Sequence, residues 1–324
     1  MSSNEPNTRL SSDLMGASVR PCVFIQANAQ QHLGALVARY SLVRNSEHAD
    51  LFDVRILHSD DFPFLRERHG QRFLRYGKAH TWLYDDLQSF TPLRFAVPEQ
   101  MAYQGRAIVI DPDVFALGDI WDLLSRDMEG KPVWCRERDD SARHGWAMAT
   151  SVMLLDCARL RHWRCEEQFT RTFEFTLDFG DWICLRTEPR EQIGLFEDEW
   201  NDFDRLTART KLLHNTERST QPWKTGLPVD YKLGRPRPRV KPLRPRTWLR
   251  AVGSRGNGTP RYYLPHPDPA QERRFFGLLR ECLSQGVVTE SMLREEMRRN
   301  HLRHDALEVL ERTSDSGLRP PEPM

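Results

Sequence analysis

Three short runs restrict the fold more than anything else in the chain: "CVFIQA" from Cys22, "AIVI" from Ala107 and "SVMLL" from Ser151. Each is almost wholly apolar, so none offers the alternating polar face of a strand that sits half in water. Strands of this kind have to be covered on both faces. The cover is legible between them, because "QQHLGALVARYSLVRNS" sets Leu33, Leu36, Val37, Tyr40 and Val43 at helical spacing. "LFDVRILHSDD" and "KPVWCRE" read as further strands, and "ARLRHWRCEEQFTRTFEF" reads as a helix. "GKAHTWLYDDLQSFTPLRFAVPEQM" reads as mixed helix and turn, broken by Pro92 and Pro98. Strands that alternate with helices predict an α/β fold: a mixed, mostly parallel sheet flanked by helices, with functional residues at the strand ends.

A length of 324 residues allows one large domain or two modest ones. We divide the chain into a polar lead-in (1–20), a main α/β domain (21–232), a basic Pro/Arg-rich linker (233–264) and a C-terminal helical appendage with a tail (265–324). The charge is balanced, 47 basic against 46 acidic residues, so no global field points to nucleic acid. It is concentrated locally in "GRPRPRVKPLRPRTWLR", where alternating proline and arginine favour extended chain. The stretch from Arg235 to Arg250 reads either as an exposed linker or as a contact for an anionic partner, the inner membrane surface included. The lead-in lacks the apolar stretch of a signal peptide, and no apolar run is long enough to span a bilayer. Six cysteines without metal-binding spacing read as reduced core thiols, and the chain as cytoplasmic. In the appendage, Phe275, Leu278, Leu279 and Cys282 mark one amphipathic helix. Thr289 is the predicted N-cap of a second, and Asp305 with Glu308 a capping box for a third.

The chemistry centres on "IVIDPDVFALGDIWDLL". Residues two apart in extended chain face the same way, so Asp111 and Asp113 can converge on one point across Pro112. Three readings compete for them. The carboxylates can cap the turn before the next helix, hold a divalent cation, or, as in dehalogenase-type phosphohydrolases, supply the first Asp as a nucleophile. Asp119 reads as an N-cap.

The order of motifs separates these readings. "IVIDPDVFALGDIWDLL" resembles the "YLDADVLVLGDIEELW"-like stretch of the family 8 glycosyltransferases, which include glycogenin and lipopolysaccharide galactosyltransferases. Upstream, "TPLRFAVPE" resembles the arginine segment of that family. Downstream, "WAMATSVMLLDCARLRHW" is similar to "FNSGVMLLNLKRWR", "LFEDEWNDFD" to the "LPxxWN" region, and "LLHNTERSTQPWKTG" to "IIHFxGxxKPW". The motifs are collinear over roughly residues 22–226.

The resemblance implies a GT-A (Rossmann-like) domain and a retaining, metal-assisted hexosyltransferase. Its donor would be a nucleotide sugar, by expectation a UDP-sugar, and its acceptor a glycan, a lipid-linked saccharide or a protein. It implies Asp111, Asp113 and His214 as ligands of Mn2+ or Mg2+, and oxygen ligands with one imidazole tilt the choice toward manganese. Ala27, Asn28, Arg94, Pro112 and Lys224 would contact the donor, and Asp181 would be the catalytic carboxylate. The leaving phosphate would itself help to deprotonate the acceptor from the same face.

Departures from the family pattern are specific. Lys224 follows Pro222-Trp223 where the family has lysine before Pro-Trp, Ala149 or Thr150 stands at the sugar-binding asparagine, and only Asp181 remains of an Asp-Gln-Asp stretch. These departures keep a second reading open, a catalytically silent nucleotide-sugar-binding protein. Trp146, Trp182, Trp200 and Trp223 read first as core residues and second as surfaces for sugar stacking.

Overall fold

The computed structural model describes residues 19–138, 146–231 and 261–313. The stretch from Arg235 to Arg250 and most of the loop after Arg138 therefore lie outside the described residues.

The elements run in chain order as follows. Strand β1 (Cys22–Ala27) leads into helix α1 (His32–Arg44), then β2 (Asp53–His58), α2 (Pro63–Glu67) and the pair β3 (Arg72–Arg75) and β4 (Lys78–Thr81). Helix α3 (Val97–Gln100), β5 (Arg106–Ile110), β6 (Val114–Ala116), α4 (Trp121–Leu124), β7 (Val133–Glu137) and β8 (Met148–Asp156) follow. Next come α5 (Cys165–Phe173), α6 (Phe179–Ile183), β9 (Ile193–Leu195), β10 (Asp202–Phe203) and β11 (Leu212–His214). The described chain closes with α7 (Pro269–Ser284), α8 (Glu290–Arg298) and α9 (Ala306–Arg312).

The main sheet has the order β2-β1-β5-β8-β7-β9. Its parallel pairs are β1–β2, β1–β5 and β7–β9, and β8 runs antiparallel to both β5 and β7. The apolar runs occupy its middle, where β1 is buried along its whole length and β8 at all but its last residue. A second sheet, β10-β11-β6, sits where the chain leaves β5. In it β11 lies antiparallel to β6 with His214 opposite Val114, the residue after Asp113.

Several local expectations change. Residues 72–81 form an antiparallel hairpin whose β4 half was expected as mixed helix and turn. The long predicted helix after β8 is a short turn followed by α5 alone, because Leu160, Trp163 and Cys165 are drawn into the core from irregular chain. Thr289 caps α8 as expected, its hydroxyl accepting from the Met292 amide at 3.2 Å. Asp305 forms no capping bond for α9, since its carboxylate is taken by the Arg303 guanidinium at 2.6 and 2.8 Å.

The C-terminal helices are more than an appendage. Phe275, Phe276, Leu279 and Cys282 of α7 and Leu310 of α9 belong to the same apolar core as β1 and β5. Phe275 stacks on Trp223 with ring centroids 4.7 Å apart and meets Phe115 at 5.6 Å. All six cysteines are buried free thiols, and no described helix is long and apolar enough to cross a membrane.

Candidate metal and donor site

Asp111 follows directly on β5 and Asp113 directly precedes β6, so the Asp-Pro-Asp turn is the corner between the two sheets. Helix α1 abuts this corner at Gly34, where a Cβ would come within 2.7 Å of the Pro112 carbonyl oxygen. The β6–β11 register then carries His214 to the same corner, and the Asn215 amide closes it with a 3.0 Å bond to the Asp113 carbonyl. One ligand atom from each of Asp111, Asp113 and His214 falls within 4.8 Å of the others. The three predicted ligands, from two strands a hundred residues apart in sequence, do meet.

The two aspartates are held differently. Asp111 is gripped by both prongs of the Arg94 guanidinium, whose Nε donates to Oδ1 at 3.0 Å, and by the Gln26 amide. Burial raises the Asp111 pKa; the Arg94 guanidinium opposes this, and the neighbouring Asp113 carboxylate adds to it. Arg94 also donates to the Thr150 hydroxyl at 2.8 Å, and Thr150 donates in turn to the Ile183 carbonyl at 2.7 Å. Asp113 is left freer. Its Oδ2 accepts a long 3.3 Å bond from the Gln221 amide, while its buried Oδ1 has no hydrogen-bond partner among the described residues and lies 3.3 Å from His214 Nε2.

The His214 ring is oriented from behind. Its Nδ1 lies 2.8 Å from the Asn201 Oδ1, and the Asn201 amide nitrogen donates to Ser151 Oγ at 3.0 Å, so Nδ1 is the donor. That tautomer leaves the Nε2 lone pair aimed at Asp113, the arrangement of a histidine ligand backed by a hydrogen-bond acceptor. Burial would lower the His214 pKa, but the charges of Asp113 and Asp111 outweigh it and raise it. An unpartnered buried carboxylate oxygen, a second carboxylate and an oriented imidazole form a donor set that fits Mn2+ or Mg2+. Asn201 was not singled out from the sequence, although it is the Asn of the "EWN" motif that was quoted.

The other expected residues fall in different places. Ala27 and Asn28 close β1 beside the aspartates. The Asn28 amide nitrogen is committed to the carbonyls of Asp86 and Leu87 and to Ser89 Oγ, which leaves its buried Oδ1 without a partner. Asp181 lies on α6, about half exposed and paired with Arg186 at 3.0 Å. Lys224 is turned into the core: it has no exposed side-chain area, its ammonium is paired with Asp230, and the Tyr263 ring lies 5.4 Å away. Trp182, Trp200 and Trp223 are buried core residues, and Trp146 packs against the core. Asp119 is not the N-cap expected of it, since Ile120 holds that position before α4; its carboxylate instead accepts from the Trp121 amide at 2.9 Å and meets His48 Nδ1 at 2.9 Å. Arg218 escaped notice in the sequence. Its guanidinium binds the neutral Gln88 amide and lies 5.8 Å from the Tyr231 ring, in ion-pair contact with no carboxylate among the described residues.

No protein-family model matches the chain. No curated protein matches it either. The solved structures it resembles are glycosyltransferases. Glycosyltransferase GlyE of Streptococcus pneumoniae TIGR4 is 16% identical over 64% of this chain and 56% of its own, with a TM-score of 0.44. The WbbM bifunctional glycosyltransferase is 12% identical over 66% of this chain and 48% of its own, at 0.47. Galactosyltransferase LgtC, solved with donor and acceptor sugar analogs, is 12% identical over 62% of this chain and 89% of its own, at 0.44. The chain thus spans only about half the length of GlyE and of WbbM. The reading of its chemistry rests on the site.

Proposed function

We propose that the chain is a metal-dependent glycosyltransferase that moves a hexosyl group from a nucleotide sugar, by preference a UDP-sugar, to a glycan, lipid-linked saccharide or protein acceptor with retention. The observation that carries this reading is the buried, unpartnered Asp113 oxygen facing the oriented Nε2 of His214 at the corner of the two sheets. The collinear family 8 motifs supply the donor class.

A divalent cation held by Asp111, Asp113 and His214 would act as a Lewis acid on the departing diphosphate. The chain's own groups do the rest. Asn201 keeps the His214 lone pair aimed into the site, and Arg94 fixes the Asp111 carboxylate and favours its ionised form against the pull of burial. Arg218, a guanidinium without a carboxylate partner, takes the diphosphate charge that Lys224, paired with Asp230, does not. Asn28 Oδ1 is the acceptor offered to the nucleoside. Asp181, on a helix tied through Thr150 to Arg94, is the proposed carboxylate for the donor sugar.

Lys224 also gives substance to a second reading, nucleotide-sugar binding without transfer. The phosphohydrolase reading loses ground, since Arg94 and Gln26 bond both oxygens of Asp111 and restrain any nucleophilic approach. Calorimetric titration with UDP, with and without Mn2+, tests the proposal. Metal-dependent binding that disappears in Asp113→Ala is expected, and equal affinity in wild type and variant would sink the metal assignment. Hydrolysis of a UDP-sugar panel separates transferase from silent binder.

A further inference from the structure

The hairpin tip at Tyr76 spends conformational energy on presenting an aromatic ring to solvent. The register Arg75↔Lys78 leaves a two-residue turn in which Tyr76 and Gly77 both have positive φ, 52° and 68°. This mirror-image turn is the one that asks for Asn-Gly or Gly-Gly, and a tyrosine in its first position is strained. The strained backbone is nevertheless firmly held. The Asp178 carboxylate accepts from the amides of Tyr76 at 3.0 Å and Gly77 at 2.7 Å, and from those of Gly180 at 2.7 Å and Asp181 at 3.3 Å. Burial would raise the Asp178 pKa, but these amide bonds outweigh it and lower it.

The ring lies over Gly180, where any Cβ would run into it, so the helix is notched to seat it. Arg75 flanks it, with its guanidinium 5.3 Å from the Tyr76 ring and 5.3 Å from Phe179. Even so, Tyr76 remains 53% exposed. A ring kept for packing would be covered. One kept in a costly conformation, seated and still open to water, is kept as a surface.

Its place in the molecule says what meets that surface. Helix α6 carries the ring's seat at its start and ends at Ile183, whose carbonyl is bonded to Thr150, which is bonded to Arg94, which grips Asp111. Five helical residues span about 7.5 Å. The ring therefore stands about one short helix from the network that fixes the metal ligands.

We propose that Tyr76 is an acceptor-side saccharide platform, stacking the apolar C–H face of a pyranose ring beside the donor site. A half-exposed aromatic ring suits the apolar C–H face of a sugar, and the Arg75 guanidinium beside it, 5.3 Å from the ring centroid, can donate to the sugar hydroxyls. The inference rests on the glycosyltransferase reading.

The test is saturation-transfer NMR on the full chain with UDP and Mg2+, using methyl α- and β-pyranosides of glucose and galactose as probes. Transfer to the sugar C–H protons is expected in the wild type, with affinity about tenfold weaker in Tyr76→Asn. Asparagine suits the turn, so the thermal midpoint of that variant should hold or rise. Gly180→Ala, which displaces the ring, should weaken pyranoside binding as well. Pyranoside affinity unchanged in Tyr76→Asn, or no transfer to any of the four probes in a protein that binds UDP, overturns the proposal. A parallel loss of UDP affinity in Tyr76→Asn also overturns it, by marking the hairpin as scaffold. A wild type that fails to bind UDP overturns instead the reading on which the proposal rests.

Discussion

Two buried clusters of charge behave in opposite ways. Around Lys224 every group is matched: the ammonium pairs with one Asp230 oxygen, and the Tyr263 hydroxyl donates to the other at 2.5 Å. Around Asp113 the matching stops, for Asp113 Oδ1, Gln26 Oε1 and Gln221 Oε1 are all buried acceptors without donors among the described residues. Protein interiors pair their polar groups almost completely, because an unpaired one forfeits hydration and gains nothing. A closed cluster is therefore structure. A cluster of unmatched acceptors at a strand end is a place made to receive a cation or a donor from outside. The identity of a residue does not tell the two apart, since a lysine beside Pro-Trp looked like a ligand contact and an Asp-x-Asp looked like a turn cap.

The comparison breaks most readily at Asp113. Asp113→Asn removes the open carboxylate oxygen and should weaken Mn2+ binding by more than about 100-fold, exceeding the 10–100-fold typical of losing a supporting partner. Titration followed by the manganese electron-spin resonance signal measures it, and a change below about tenfold would make Asp113 a turn cap after all. Lys224→Met tests the other side. It should cost about 2–4 kcal/mol of stability by stranding Asp230, reduced because Asp230 is a quarter exposed. Denaturant unfolding reads the stability and calorimetry the UDP affinity. Loss of UDP affinity without loss of stability would return Lys224 to the donor site.

The strands and the meeting of Asp111, Asp113 and His214 were legible for definite reasons. Strands β1, β5 and β8 announced themselves because both of their faces are covered, which leaves long apolar runs with few polar residues. Asp111, Asp113 and His214 were legible through the order of motifs, not through spacing, as His214 is brought in by pairing β11 with β6. The hairpin was missed because β4 is largely exposed and its turn is Tyr-Gly, which carries none of the usual hairpin signal. Lys224 was misleading because Asp230 and Tyr263 fold back onto it from chain that no local pattern connects. The three C-terminal helices were read from their spacing and caps, but their bearing on the site was invisible, since it depends on contacts across more than fifty residues.

That bearing sharpens the contrast between the two clusters. Gln271 of α7 is buried, its Nε2 donating to the Asp204 carbonyl at 2.8 Å and its Oε1 accepting from Asn215 at 2.5 Å. The Asp204 amide bonds the His214 carbonyl at 2.9 Å, so Gln271 ties the Asp204 backbone to the Asn215 side chain beside β11. Gln271→Leu keeps the volume and removes both bonds. It should weaken Mn2+ binding about tenfold, as supporting partners do. Unchanged metal affinity together with a lowered thermal midpoint would make α7 a packing element only.

The smallest expected effect concerns His266, which lies behind the same strand with its Nε2 3.7 Å from Asp204 and its Nδ1 3.0 Å from the Asp268 carbonyl oxygen. Burial would lower its pKa, but the Asp204 carboxylate and the Asp268 backbone outweigh that and raise it. A histidine whose folded pKa exceeds its unfolded value stabilises the fold fully below the unfolded value, near 6.5, and loses that contribution as pH rises through the folded one. His266→Gln should therefore lower the thermal midpoint more at pH 5.5 than at pH 8.5, with Asp204 and Asp268 the groups that face the ring. An equal loss at both pH values would mean that the imidazole contributes by packing alone. Because Asp204 is the residue whose amide supports His214, such an equal loss would also place the protonation of His266 outside the support of the metal corner, leaving Gln271 as its link to the C-terminal helices.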